Sequence, residues 1–247
     1  MDINCTEREL FVFKKIAHAA QSLQMPCYVI GGFVRDKILG RATKDADIVC
    51  VGDGIELANK VADRFQPRPF ITVFKNFGTA QIKISSSDQE VEGKADDVFE
   101  IEFVGARKES YRYHSRNPSV SPGTLEDDQR RRDFTINALA ISLNEADYGK
   151  LMDPFHGLRD LSRKLIQTPL DPLQTFSDDP LRMLRAIRFA TQLNFNIEAK
   201  TLAAIKEDAH RIRIVSQERI TDELNKIILT KKPSVGFDLL YQTALLH

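Results

Sequence analysis

The chain has 247 residues, 42% of them apolar and 28% charged, with 35 basic and 35 acidic side chains and a formal net charge of zero. That composition suits one large or two small globular domains with a substantial core, and it excludes a protein that coats nucleic acid through overall charge. No apolar run approaches the roughly 18 residues a membrane span needs, and Asp2, Glu7 and Glu9 replace a signal-peptide pattern. Cys5, Cys27 and Cys50 lack metal-ligand spacing and point to a reducing, cytoplasmic setting.

Thr6-Glu7-Arg8-Glu9 fits a helix capping box, and Leu10, Phe13, Ile16, Ala17 and Ala20 give the helix an apolar stripe. A strand follows at Cys27 to Ile30. Gly31 and Gly32 then mark a sharp turn or a close approach to a ligand. The helix from Phe33 to Leu39, stopped by Gly40, makes that turn a candidate phosphate cradle. A second strand, Ala46 to Val51, is entered through Asp45 and Asp47. Residues two apart on a strand share a side, so both carboxylates face one ligand. Two like charges so close are costly unless a cation sits between them, and hard oxygen ligands suit Mg²⁺. A phosphate cradle beside a dicarboxylate suggests phosphoryl transfer.

Glu56 to Phe65 has helical spacing. Phe70 to Phe74 and Thr79 to Ile84 alternate like paired strands joined at Asn76-Phe77-Gly78. Residues 85–97 are polar and acidic, an expected loop. Val98 to Val104 is a strand on which Glu100 and Glu102 share a side, and either is a candidate third carboxylate. Residues 112–123 carry Pro118, Pro122 and Gly123 and read as a mobile loop. Arg130-Arg131-Arg132 reads as a solvated or RNA-facing turn, with Asp133 as the N-cap of a short helix from Phe134. Leu139 to Leu143 returns as a strand, Leu151-Met152 is a short partner, and 153–157 is a turn.

Pro169 and Pro172 mark a linker, and no strands are expected from Asp171 onward. A helix starts at Pro180 with Asp178 or Asp179 as its cap. Met183, Leu184, Ile187 and Ala190 share one face; Arg182, Arg185 and Arg188 lie opposite, a cationic stripe with few acidic neighbours that suits an anion. Three more helices are expected at 199–209, 216–229 and 233–246. The apolar end, 239–247, carries no closing signal, so the chain reads as a piece of something longer.

Gly31-Gly32-Phe33-Val34-Arg35-Asp36, followed by Asp45-x-Asp47, resembles the active-site opening of the DNA-polymerase-β-like nucleotidyltransferases. More narrowly, it resembles the class II CCA-adding enzymes and bacterial poly(A) polymerases. Four later stretches carry the same resemblance. They are Arg131-Arg-Asp-Phe-Thr-Ile-Asn137-Ala, Gly157-x-x-Asp160-Leu with Lys164-Leu-Ile166, Asp178-Asp179-x-x-Arg182, and Ser216-x-Glu-Arg219-Ile-x-x-Glu223-Leu. Gln167 departs from the pattern, standing where Arg is common.

The resemblance implies an α+β fold. A catalytic head, 1–168, would hold a mixed or antiparallel sheet flanked by helices, and a helical, truncated neck would span 169–247. It implies that Asp45, Asp47 and Glu102 hold two Mg²⁺ ions; Glu102 is preferred to Glu100 because Arg107-Lys108-Glu109 follows at the family's spacing. Gly31, Gly32 and Arg35 would organise the triphosphate, with Asp36 helping or only orienting Arg35. Arg132 and Asp133 would face the nucleotide, Asp133 accepting from a ribose hydroxyl, and Asn137 would brace them. Asp179 and Arg182 would read the base: a carboxylate accepts from the exocyclic amine of cytosine or adenine, and a guanidinium donates to the adjacent ring nitrogen. A carbonyl in place of the amine is repelled. Arg185 and Arg188 would reach the triphosphate or fix the helix, with Arg219 in support. The implied activity is addition of CMP and AMP, from CTP and ATP, to the 3′ end of tRNA. Poly(A) synthesis and A-only or CC-only addition are the alternatives within the family, and a catalytically inactive RNA-binding relative is the alternative outside it.

Overall fold

A computed structural model describes residues 1–85, 98–110 and 119–246. The capping box forms as read: the Thr6 hydroxyl accepts from the Glu9 N–H at 3.2 Å, and the Glu9 carboxylate accepts from the Thr6 N–H at 2.7 Å. It starts α1 (Glu7–Ser22), whose buried stripe is Val12, Phe13, Ile16, Ala19 and Ala20, rotated slightly from the expected one. Then follow β1 (Cys27–Ile30), α2 (Gly32–Ile38), β2 (Asp45–Cys50) and α3 (Gly54–Ala62). α3 begins earlier than its apolar spacing suggests because Asp53 caps it, accepting from the Ile55 and Glu56 N–H groups. Next come β3 (Ile71–Phe74), β4 (Thr79–Ser85), β5 (Val98–Gly105), β6 (Arg107–Ser110), β7 (Ser119–Pro122), α4 (Leu125–Arg130), β8 (Ala140–Ser142) and β9 (Leu151–Met152).

The loop expected at 85–97 lies almost wholly outside the described residues, as does most of the one expected at 112–123. Of the latter, Ser119–Pro122 is a strand paired with β6 in a two-stranded sheet.

Seven strands form the main sheet, in the order β3-β4-β5-β2-β1-β8-β9. β2 and β5 run parallel; the pairs β1–β2, β1–β8, β3–β4, β4–β5 and β8–β9 are antiparallel. One face is a dry core. Ile48, Ile82, Ile101 and Phe103 are fully buried, and α3 packs on β4, β5, β2 and α1. Phe13 meets Phe33 edge-on, ring centroids 5.4 Å apart, and Phe99 at 6.2 Å. Gly54 lets α3 start directly against β5, since a Cβ there would lie 2.8 Å from the Val104 Cα. Cys27 and Cys50 face each other across β1 and β2, and burial pushes both thiols up to about 12.

The remaining elements are α5 (Gly157–Ser162), β10 (Leu165–Ile166), α6 (Pro172–Asp178), α7 (Leu181–Leu193), β11 (Asn196–Ile197), α8 (Ala199–Asp208), α9 (Gln217–Ile228) and α10 (Pro233–Gln242). Two of them correct the sequence reading. The stretch read as a linker contains α6, because Asp171 is an N-cap and Pro172 fits the first helical position. A strand also appears after Asp171: β11 pairs parallel with β10, too short for a period-2 pattern to register. Leu181, Leu184, Ile187, Val215, Ile227 and Leu240 form one core cluster here.

The chain divides into two compact units. One holds Met1–Lys108, Ser121–Gln129 and Leu139–Pro154; the other holds Glu109–Val120, Arg130–Ala138 and Phe155–His247. Residues 130–138 and 155–168 therefore pack with the helices. The division into a catalytic head, 1–168, and a helical neck, 169–247, is a proposal about function, drawn at a different place from this packing division.

Candidate active site

Parallel pairing of β2 with β5 makes Asp45 the partner of Glu100 and Asp47 the partner of Glu102. Partners in register point to the same side, so all four carboxylates share the sheet face opposite the dry core. Asp45 and Glu102 are exposed and Asp47 is half-buried. Glu100 is committed elsewhere: Lys83 on β4 reaches it at 2.8 Å and the Gln81 amide at 3.1 Å. The donor set is all carboxylate oxygen, which fits Mg²⁺. The backbone brings Asp45, Asp47 and Glu102 together; the side chains do not close up. Among the described residues no three His, Cys, Asp or Glu side chains converge tightly enough to hold an ion.

The glycine turn departs in part from the phosphate-cradle reading. Gly31 has φ +82°, a conformation glycine adopts without strain. Its N–H, however, donates to the Leu139 carbonyl at 3.0 Å. Gly32 opens α2. Arg35 is buried and forks onto its neighbour, with Nε 3.0 Å from Asp36 Oδ1 and Nη2 2.7 Å from Oδ2. Asp36 thus orients Arg35, with Arg41 at its margin.

Arg132, Asp133, Asn137, Arg182 and Arg185 belong to the second unit. Phe134 is extended, and only a 3₁₀ turn, Thr135–Asn137, follows, so Asp133 does not cap a helix as expected. Its Oδ1 accepts from the Phe134 N–H at 2.8 Å and the Asn137 amide at 3.0 Å. Its Oδ2 accepts from Arg185, 2.7 Å from Nε and 2.6 Å from Nη2. Burial pushes the carboxyl up, but the Arg185 charge, the Asn137 hydrogen bond and the Arg182 charge outweigh it and hold it at about 2. Asp133 in turn raises the Arg185 pKa. An ionised carboxylate offers about four lone-pair sites, so these donors leave none for a ribose hydroxyl in this arrangement. Arg132 donates from Nη1 to the Asn137 carbonyl at 3.3 Å.

The arginine stripe on α7 is not short of acidic partners. Arg185 has Asp133, and Arg188 Nε lies 2.8 Å from Glu223 Oε2 on α9. Helical spacing exposes only neighbours three or four residues away, and both partners are distant in sequence. Arg188 is thereby ion-paired across to α9. Asp179 sits just before α7, its Oδ1 accepting from the Leu181 N–H and its Oδ2 ion-paired to Arg219 at 3.1 Å. Arg182 donates to the Arg131 carbonyl at 2.7 Å.

Two buried carboxylates stand in the family-like stretches with no role assigned to them from sequence. Asp160, in the Gly157-x-x-Asp160 stretch, accepts from the Thr135 hydroxyl at 2.7 Å and so anchors the turn behind Asp133. Glu223 joins α9 to α7; it stands in the family-like stretch Ser216–Leu224, which placed it without saying what it pairs with. A cavity of about 900 Å³ beside the C-terminal half of α1, lined by His18, Tyr28, Asn144 and Tyr148, contains none of the site residues.

Comparison with known proteins follows this arrangement. The poly A polymerase head domain model matches residues 27–167, and a model described as a probable RNA and SrmB-binding site of polymerase A matches 194–247. The A-adding tRNA nucleotidyltransferase of Aquifex aeolicus is 44% identical over 180 residues, covering 73% of this chain and 20% of that one. The A-adding tRNA nucleotidyltransferase of Halalkalibacterium halodurans is 34% identical over 244 residues, covering 97% of this chain and 54% of that one. A CCA-adding enzyme in an apo form superposes with a TM-score of 0.84 at 32% identity, over 98% of this chain and 54% of the other. The chain thus spans about half the length, or less, of these relatives. With the head-domain match running through both the carboxylate strands and the Asp133 turn, the chain belongs to the family of class II CCA-adding enzymes and bacterial poly(A) polymerases.

Proposed function

We propose that the chain carries the catalytic part of a template-independent tRNA nucleotidyltransferase, which adds CMP and AMP from CTP and ATP to the 3′ end and releases pyrophosphate. The observation that carries this reading is the register of β2 on β5, which sets Asp47 against Glu102 and Asp45 on the same exposed face. Asp45, Asp47 and Glu102 would hold two Mg²⁺ ions, which supply charge neutralisation and a more acidic 3′ hydroxyl. Gly31, Gly32 and Arg35 orient the triphosphate, Arg35 being held rigid by Asp36. Asp179 and Arg182 read the base edge, with Arg219 fixing the rotamer of Asp179. Asp133 works by holding Arg185 and Asn137 in place, and Arg132 faces the nucleotide beside them. This is catalysis by positioning and electrostatics, with no covalent step on the protein.

The sharper alternative is addition of the terminal A alone, which two A-adding relatives favour. The test is one turnover assay with each of the four nucleoside triphosphates on tRNA lacking its 3′ end and on tRNA ending in CC. C followed by A on the first substrate supports full CCA addition. A only, and only on the second, supports the alternative. Incorporation of nothing, or of U and G equally, overturns both.

A further inference from the structure

The β3–β4 hairpin carries three phenylalanines that the fold leaves uncovered: Phe70 is 83% exposed, Phe77 71% and Phe74 41%. β3 is the outermost strand of the main sheet. Large apolar side chains gathered at a sheet edge mark a surface that meets something.

The strand register says which something. Thr72 pairs with Gln81, Gln81 with Glu102, and Glu102 with Asp47. These residues form one row across four strands, all on the same face. Phe74 is two residues from Thr72 on the same strand and so shares that face, the one carrying the carboxylates. Three strand spacings separate β3 from β2, about 14 Å at about 4.8 Å each. That is the reach of about four stacked nucleotides at about 3.4 Å per step. Phe77 lies in the 3₁₀ turn at the tip, beside Lys75, a cation suited to a phosphate.

We propose that Phe74 and Phe77, with Phe70 at the base of the hairpin, form a stacking platform for the unpaired bases just upstream of the RNA 3′ end. This rests on the nucleotidyltransferase reading, which puts the terminal hydroxyl at Asp47 and Glu102. Phenylalanine has a π-face and no polar tip, so it holds any base without reading its edge. That suits a tail whose last residues change as it grows.

The test uses the full chain, a 5′-fluorescein tRNA lacking its 3′ end, and the variants Phe74→Leu, Phe77→Leu and Phe77→Trp. Leucine keeps the apolar surface and removes the π-face. Each leucine variant is expected to weaken RNA binding in fluorescence anisotropy about tenfold, within the range for loss of one stacked base. The KM for RNA rises in parallel, while the KM for ATP and the kcat at saturating RNA hold, and Phe77→Trp binds like the parent. Leucine variants that bind RNA like the parent overturn the proposal. So do leucine variants that change only the oligomeric state, which would make the edge a protein interface. The two readings fail separately. A parent chain that binds RNA but extends it with no nucleotide sinks the enzyme reading while the binding series still decides the platform. A parent that extends RNA, with leucine variants of unchanged KM, sinks the platform alone.

Discussion

Charge is handled in opposite ways in the two regions that carry the site residues. On the sheet, Asp45, Asp47 and Glu102 share a face, and two of them are exposed. In the helical unit, Asp133 is buried with both oxygens engaged, and Arg185 and Arg188 each hold a carboxylate. The first arrangement carries like-charge repulsion that a bound cation would relieve. In the second, the fold itself supplies the counter-charges. One region keeps carboxylates at the surface, the other pairs its charges within the fold.

Replacing a sheet carboxylate tests the first half of that contrast most severely. Asp45→Asn should lower nucleotide incorporation by at least about 100-fold, with a melting temperature equal to or above that of the parent, read by turnover and differential scanning fluorimetry. A large drop in melting temperature would move Asp45 from the reacting face into the scaffold.

Arg185→Met should do the reverse. It leaves Asp133 buried without its counter-charge, and loss of one partner from such a pair costs about 3 kcal/mol. Urea denaturation should show the midpoint fall with the slope unchanged. Stability intact after this change would mean the fold does not depend on the pair.

Acid titration sharpens the same point. The folded pKa of Asp133, about 2, lies below the ordinary value of 3.8. The unfolded chain therefore takes up this proton first as pH falls. The stabilisation, on the order of 2 kcal/mol, is complete above about pH 4 and is lost toward pH 2. Parent and Asp133→Asn should differ by a constant amount from pH 7 to 5 and converge below pH 4. Convergence near neutral pH would rule out the buried, ionised carboxylate.

The smallest effect belongs to Glu100. Its partner Lys83 is mostly exposed, so Lys83→Met should change stability by less than about 0.5 kcal/mol. Glu100→Gln should keep turnover within a few-fold, whereas Glu102→Gln should remove it; the reverse pattern would exchange their roles.

Much of this was legible in the chain because local rules agree with one another there. The capping box at Thr6, the strands around Asp45 and the alternation at 79–84 each follow from nearest neighbours. Legibility fails where a partner is remote. The arginines on α7 look unpaired from their own helix, since Asp133 and Glu223 come from other elements. Asp133 looks like a cap because Asp commonly is one, yet its carboxylate is drawn to Arg185 instead. β10 and β11 have two residues each, below the length at which a period-2 pattern can be seen. Gly31 signals a special backbone, but only the fold shows that its N–H is already taken by Leu139.

The interleaving of the two packing units has a practical corollary for anyone trimming this polypeptide. Cutting after residue 168 looks natural, yet it would part β10 from β11, Phe134 from Phe189, whose rings lie 5.9 Å apart, and Asp133 from Arg185. The shortened product would keep every sheet carboxylate while exposing a raw hydrophobic scar and an orphaned anion. Insolubility of such a fragment would then report on where the scissors fell, and would say nothing about whether the sheet half can do chemistry.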